Sequence, residues 1–195
     1  MLIAKGVPRC FVRVLCSMYC SQRLSVQWND AISDMFPCGN GVRQGSSLSP
    51  FLFSVYIDGV LNNISKIDIG CRLFGTNWNC LAYADDIVLY APSWRGLQAL
   101  MNVLFNALTD IDMSINCSKT LCMVFSPRYK CNRFLNVIPK FHLGDVEINF
   151  CVKFRYLGHI ICNTLEDKDD VMREICLLFF RCNRLCNKIF VFTKR

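Results

Sequence analysis

Two adjacent carboxylates, Asp85 and Asp86, interrupt an otherwise apolar stretch of the chain. Residues that favour β-strands flank them, with Tyr83 on one side and Ile87–Tyr90 on the other. This pattern predicts a β-hairpin with Ala84, Asp85 and Asp86 at its tip, where both carboxylates reach one site. Carboxylates held close repel each other, and a hard divalent cation such as Mg²⁺ relieves the repulsion. The alternative is that aspartate serves here only as a good turn residue.

A glycine-rich loop at residues 41–50 precedes the hairpin. Its glycines let the backbone come close to another chain, its arginine offers a forked cation for phosphate, and its glutamine can hydrogen-bond a base edge or a sugar. A plain glycine-rich turn leading into a helix, with Ser49 as N-cap and Pro50 as first residue, explains the same pattern. The candidate template and nucleotide contacts in this loop are Gly41, Arg43, Gln44 and Gly45.

These two segments resemble conserved blocks of reverse transcriptases. Tyr83–Asp86 is similar to the Tyr-x-Asp-Asp motif, and the loop at 41–50 is similar to the preceding block, in the version of non-LTR (LINE-type) retrotransposon enzymes. The resemblance runs from about Met1 to Lys188. It implies an RNA-directed DNA polymerase, a nucleotidyltransferase in which Asp85 and Asp86 bind Mg²⁺, with two ions in the complete enzyme. It also places Tyr83 and the loop at the nucleotide and the template.

The same resemblance implies two further site segments and a set of partners. Lys119 matches the end of the next family motif and would protonate the leaving pyrophosphate, although a solvated turn lysine fits as well. Tyr156, Leu157 and Gly158 resemble the hairpin that grips the primer end. The implied partners are an RNA template, a DNA primer and deoxynucleoside triphosphates.

The predicted fold class is α+β, a polymerase palm with an antiparallel sheet backed by helices. Residues 1–163 are expected to form the palm, and residues 164–195 the start of a thumb helix. Ser93 is a predicted N-cap for a helix whose apolar stripe runs from Leu97 to Ile111 with a 3.6-residue period. We expect this stripe to pack on the sheet that carries the aspartates. Cys71–Phe74 and Asn79–Tyr83 are predicted as two joined strands.

One family block is missing from the sequence. The family carries a further Asp on an earlier strand, before the region that corresponds to Met1, and Asp30 and Asp34 are poor substitutes because they lie in or beside a predicted hairpin. The palm is therefore expected to be incomplete at its N-terminus, and the isolated chain to be inactive. The alternative hypothesis, from another functional class, is a non-catalytic relic that binds nucleic acid weakly through a basic surface.

Composition agrees with an intracellular nucleic-acid binder. The 195 residues are 53% hydrophobic, enough for a core, and the net charge of +7 favours an anionic partner, although ordinary basic bias also gives this value. No secretory signal precedes the 14 cysteines, so reduced thiols in the nucleus or cytoplasm are expected, and no apolar run has the length of a membrane span. The candidate phosphate contacts are Arg43, Arg128, Lys130, Arg133 and Arg155.

Overall fold

A computed structural model describes residues 1–39, 41–125 and 138–192, with side chains described as far as residue 186. The chain divides into two units, Met1–Pro92 and Ser93–Arg195. The described residues form four α-helices and several small, mostly antiparallel sheets, so the predicted mixture of helix and strand is confirmed. The assignment of palm and thumb stays a prediction. Three of the candidate basic residues lie outside the described residues: Arg128, Lys130 and Arg133.

Unit 1 consists of α1 (Arg9–Cys20), β1 (Arg23–Leu24), β2 (Gln27–Trp28), β3 (Ala31–Ile32), β4 (Phe36–Pro37), α2 (Ser49–Ser65), β5 (Cys71–Leu73), β6 (Thr76–Trp78), β7 (Cys80–Tyr83) and β8 (Asp86–Leu89). β1 pairs with β4 and β2 with β3, which gives one interrupted antiparallel ribbon with Asn29–Asp30 at its tip. β5 pairs with β6, and β7 with β8. The strand predicted at Cys71–Phe74 therefore pairs with β6, a strand that the sequence did not predict between the two joined segments.

Helix α2 is the core element of unit 1. It is apolar along most of its length, and the residues Val55, Ile57, Val60 and Ile64 are buried. Ile64 is fully inaccessible to solvent. Strand β7, which leads to the two aspartates, packs against this helix. In the described part of the chain, the hairpin is thus supported by the buried side of a helix, and its sheet has no third strand.

Unit 2 consists of α3 (Trp94–Thr109), β9 (Leu121–Cys122), β10 (Phe141–Leu143), β11 (Val146–Phe150), β12 (Lys153–Tyr156), β13 (His159–Cys162) and α4 (Lys168–Phe192). Strands β10 and β11 are antiparallel, whereas β11 and β9 are parallel. The sequence predicted an antiparallel sheet, and this parallel pair corrects that expectation. Strands β12 and β13 form a separate antiparallel hairpin.

The apolar stripe of α3 packs on the sheet of β9, β10 and β11. The Ser93 hydroxyl accepts a hydrogen bond from the Gly96 N–H at 3.2 Å, which confirms the predicted N-cap. Leu100, Met101, Leu104 and Leu108 are buried, and α3 contacts β10. The sequence predicted the sheet of the aspartates as the partner of this stripe. The sheet that covers it in unit 2 is a different one, because periodicity identifies a buried face but not its partner.

Two contacts fix α3 on the outer strand of that sheet. The Gln98 side chain donates to the His142 carbonyl at 2.7 Å and accepts from the His142 N–H at 3.0 Å. Gly144 lies in the β10–β11 turn with φ +57°, and a Cβ atom there would stand 2.9 Å from Cζ of Phe105. The turn therefore needs glycine both for its backbone conformation and for the space the ring occupies.

Helix α4 is attached to the β12–β13 hairpin through its acidic first turn. Asp170 lies 2.8 Å from His159 Nδ1 and accepts from the Ile160 N–H at 2.8 Å and from the Arg173 guanidinium at 2.9 Å. These bonds, that of His159 first, hold the pKa of the Asp170 carboxyl well below its ordinary value. Asp169 forms an ion pair with Lys153 of β12. Across the residues the structure describes, no helix has both the length and the apolar character needed to cross a membrane.

Candidate active site

The two aspartates lie at the tip of the β7–β8 hairpin, as the sequence predicted. Tyr83 pairs with Asp86, so the connecting loop has two residues, Ala84 and Asp85, and Asp86 is the first residue of β8. Ala84 has φ +51°, a conformation that residues with a side chain rarely adopt. This tight turn relaxes the strict alternation of side chains along a strand. Adjacent carboxylates at such a turn can serve one ligand.

The tip is open to solvent. The residues of the tip are all exposed: Tyr83, Ala84, Asp85 and Asp86. The exposed fraction of Tyr83 is 64%. No three His, Cys, Asp or Glu side chains of the described residues lie close enough to hold a metal ion together. Mg²⁺ commonly takes one or two protein carboxylates and completes its shell with water and substrate phosphates. The pair Asp85 and Asp86 fits that requirement.

A second hairpin in unit 1 has nearly the same tip with one carboxylate. Its loop is Asn29–Asp30, with φ +52° at Asn29, and Trp28 pairs with Ala31. Asp30 thus occupies the loop position that Asp85 occupies in the β7–β8 hairpin, but a strand alanine follows it instead of an aspartate. This hairpin is an internal control for any property ascribed to the aspartate pair.

The base of the β7–β8 hairpin is held by a residue that was predicted only as the start of a strand. Asn79 is buried, with 2% of its surface exposed, and its side chain donates to the carbonyls of Ile64 at 2.7 Å and Ile67 at 3.1 Å. Its own carbonyl accepts from the Tyr90 N–H at 2.8 Å. The one signal in the sequence is an amide between two β-forming segments, which does not reveal a partner 15 residues away.

The loop at 41–50 folds around the Arg43 carbonyl. The Ser46 N–H donates to this oxygen at 3.3 Å and closes a turn in which Gly45 has φ +81°, the conformation that favours glycine at the third turn position. The buried Ser49 hydroxyl donates to the same oxygen. Ser49 is therefore not the N-cap that the sequence predicted. Leu48 takes that position, and the hydroxyl bonds six residues back instead.

The candidate residues of this loop are accessible. Gly41, Arg43, Gln44 and Gly45 are exposed, and a Cβ atom at Gly41 or Gly45 would meet nothing within 4 Å. The backbone at both glycines is therefore open to a second chain. Two hydrogen bonds to its carbonyl hold the backbone of Arg43 in place. The residue is exposed, so its guanidinium can bind phosphate.

The remaining candidate residues belong to unit 2. Lys119 is exposed and follows a turn in which its N–H donates to the Asn116 carbonyl at 3.1 Å. Tyr156 ends β12, and Leu157 and Gly158 form the two-residue loop to β13, with φ +48° and +89°. The predicted hairpin at this position is present. The roles of these residues toward pyrophosphate and primer stay predictions.

A family model described as reverse transcriptase (RNA-dependent DNA polymerase) matches residues 4–161. This match covers both candidate segments of unit 1 and extends through Lys119 to strand β13 in unit 2. It takes in well over half of the chain. The chain belongs to the reverse transcriptase family.

The curated relatives are proteins of R2 elements. The chain is 29% identical over 178 residues to the retrovirus-related Pol polyprotein from type-2 retrotransposable element R2DM of Drosophila melanogaster, a match that covers 85% of this chain and 17% of that protein. It is 32% identical over 123 residues to the corresponding polyprotein from type-1 retrotransposable element R2 of Nasonia vitripennis, covering 60% of this chain and 12% of that protein. The chain thus spans less than a fifth of their length. The resemblance to non-LTR retrotransposon enzymes is confirmed.

Proposed function

We propose that this chain forms the palm region of a retrotransposon polymerase that copies RNA into DNA. The observation that supports this most strongly is the pair of exposed carboxylates at a fixed hairpin tip, in a chain of the reverse transcriptase family. Asp85 acts as the main metal ligand and Asp86 as the supporting carboxylate. Residues 1–163 form the palm in this proposal, and α4 begins the thumb. The family match does not favour the alternative of a non-catalytic relic.

The proposed metal is Mg²⁺, held by Asp85 and Asp86 and by phosphates of the incoming nucleotide. When bound, it stabilises the attacking and leaving oxygens of an in-line phosphoryl transfer. The tip residues contribute two exposed oxygen ligands on a turn whose backbone is already folded, which lowers the cost of ordering them on binding. Tyr83, at the end of β7, lies next to them and contacts the nucleotide.

The proposed partners are an RNA template, a DNA primer and deoxynucleoside triphosphates. The exposed Arg43 and Gln44 contact the template and the nucleotide, and Gly41 and Gly45 allow that close approach because they carry no side chain. Two further roles, carried by residues of unit 2, belong to the same proposal. Lys119 supplies a proton to the leaving pyrophosphate, and the turn at Tyr156–Gly158 grips the primer end.

Metal binding at the hairpin tip tests the proposal directly. Mn²⁺ replaces Mg²⁺ at oxygen ligands and broadens the NMR signals of nearby amides, so titration of the chain should first broaden the amides of Tyr83 and Ile87. Asp85→Asn should remove most of this effect, because one charged ligand is lost. The matched control is Asp30→Asn at the equivalent position of the other hairpin, which should leave the broadening unchanged. Equal broadening at both hairpin tips would contradict a dedicated metal site.

Primer extension tests whether the isolated chain itself carries out polymerase chemistry. The assay uses an RNA template with a DNA primer, and Mg²⁺ or Mn²⁺, and compares the chain with Asp85→Asn and Asp30→Asn. Incorporation that disappears only in Asp85→Asn establishes polymerase chemistry in this chain. The sequence predicts no incorporation by the isolated chain, and in that case metal binding at Asp85 is the property that identifies the site.

A further inference from the structure

One buried side chain fastens the aspartate hairpin to the end of helix α2. The Asn79 carboxamide donates to the carbonyl oxygens of Ile64 at 2.7 Å and Ile67 at 3.1 Å. The last carbonyls of a helix have no partner within the helix, so buried ones need a donor from elsewhere. Asn79 donates to the carbonyl of Ile64 in the last turn of α2, which also accepts from the Ile67 N–H at 3.1 Å, and to the carbonyl of Ile67 just past the helix. It therefore caps α2 from outside the helix.

The same residue also closes the hairpin. Its carbonyl accepts a hydrogen bond from the N–H of Tyr90, the residue that follows β8, at 2.8 Å. Its backbone continues directly into β7. One residue thus joins the helix to both strands that carry the aspartates.

The surroundings of Asn79 leave little room for movement. A Cβ atom at Gly70 would stand 2.6 Å from the Trp78 carbonyl oxygen and 2.9 Å from Cβ of Asn79. The backbone of Gly70 therefore packs so closely against Asn79 that no side chain fits between them. The Asn77 carboxamide donates to the Ile67 carbonyl at 2.9 Å and shares that acceptor with Asn79. The anchor is therefore packed on one side and hydrogen-bonded on the other.

We propose that Asn79 is a positioning residue for the polymerase reaction, an inference that rests on the function proposed above. It sets the direction in which β7 carries Asp85 and Asp86 away from α2. The loop at 41–50, with its candidate template contacts, leads into the other end of the same helix. Asn79 thereby keeps the metal ligands and the template loop on one common support.

The geometry makes a small loosening at this anchor costly for catalysis. From Asn79 to Tyr83 the strand extends about 13 Å, so a rotation of about 5° at its base moves the tip by roughly 1 Å. A misplacement of about 1 Å can reduce a reaction rate about 10²-fold. Removing the Asn79 amide is therefore expected to disturb the placement of the aspartates more than the folding of the unit.

Amide hydrogen exchange gives the first test. In Asn79→Ala, the amides of β7, β8 and Tyr90 should exchange at least tenfold faster than in the wild-type chain, while amides in the middle of α2 keep their rates. Asn62→Ala is the matched control, since this asparagine lies on α2 itself and its carboxamide also donates a hydrogen bond, to Asp58 Oδ2 at 3.1 Å, but it is exposed. It should leave the exchange of the hairpin unchanged.

Mn²⁺ relaxation gives a second readout that a purely structural role would not change. With the ion at Asp85 and Asp86, the broadening of the Ile64 amide relative to that of the Tyr83 amide depends on the distance between the hairpin tip and the end of α2. This ratio should depart from the wild-type value at least twofold in Asn79→Ala, while the hairpin amides themselves are still broadened. The control Asn62→Ala should keep the wild-type ratio.

The outcomes separate this inference from the proposed function. If Mn²⁺ leaves the wild-type hairpin untouched, the metal site fails, and the exchange data alone decide whether Asn79 anchors the hairpin. An unchanged exchange rate or an unchanged Mn²⁺ ratio in Asn79→Ala would overturn the positioning role. If Asn79→Ala does not fold, Asn79→Ser, which keeps one donor, takes its place. Loss of folding in both variants would show a role in folding instead and would also overturn it.

Discussion

Substitution of Gly144 by alanine should destabilise unit 2 by about 2–5 kcal/mol, the sum of two separate effects. With φ +57°, the position lies in the left-handed region, where a residue with a side chain costs about 1–2 kcal/mol more than glycine. The new Cβ atom would also stand 2.9 Å from Cζ of Phe105 and 3.3 Å from its Cε2, well inside ordinary contact. Overpacking of this kind costs about 1–3 kcal/mol.

Gly158→Ala is the matched control because it isolates the backbone effect. Gly158 also lies in a two-residue hairpin loop of unit 2, with φ +89°, but nothing stands within 4 Å of its Cβ position. This variant should therefore lose only about 1–2 kcal/mol. Urea unfolding monitored by circular dichroism gives both values, and the difference between the two variants measures the contact with the ring.

A double-mutant cycle completes the test. Phe105→Leu shortens the side chain that meets the new methyl group, so it should cost less in the Gly144→Ala background than in the wild-type chain, with a coupling of about 1 kcal/mol or more. Equal losses for the two glycine variants, together with additivity in the cycle, would refute the argument that the ring of Phe105 excludes a side chain at this turn.

Three further predictions concern the rest of the chain. Because its bonds lower the pKa of Asp170, this carboxylate stabilises the fold above its unfolded pKa of about 4 and loses that effect as the pH falls toward the lowered folded value. Asp170→Asn should therefore lower the urea midpoint at pH 7 and weaken its acid dependence, whereas Asp167→Asn should leave the midpoint at pH 7 unchanged. Leu100→Ala, at a fully buried position, should cost about 2–5 kcal/mol in urea unfolding, against less than about 0.5 kcal/mol for the exposed Asn106→Ala. The third prediction concerns primer–template binding, measured by anisotropy at several salt concentrations. Replacing Arg128, Lys130 and Arg133 by alanine should weaken binding and flatten the slope of log affinity against log salt concentration by about 0.9 per lost phosphate contact. Asp85→Ala should keep or slightly raise the affinity.

Local patterns predicted the parts of the site that depend on neighbouring residues. The hairpin at Ala84–Asp86 follows from β-forming residues on both sides of a turn, and the cap at Ser93 from a hydroxyl placed just before a periodic helix. Both features form within a few residues of chain. The local sequence therefore contains all the residues that determine the hairpin and the cap.

The features that the sequence did not predict depend on contacts between distant segments. Ser49 has the sequence context of an N-cap, but the turn at 43–46 brings the Arg43 carbonyl within reach of its hydroxyl. Asn79 bonds to carbonyls up to 15 residues away, and β9 pairs in parallel with β11 across a long connection. No local spacing encodes such partners. The strand that contacts α3 within unit 2 was not predicted for the same reason.

The bonds between Gln98 and His142 have a consequence for how this chain behaves among other copies of itself. Among the described residues β10 is an outer strand of its sheet, and an unpaired outer strand offers its N–H and C=O groups to another chain that can add by β-sheet pairing. The Gln98 carboxamide occupies the outward N–H and C=O of His142 as a neighbouring strand would. A second chain can therefore pair with the middle of this edge only if it first displaces the side chain of Gln98.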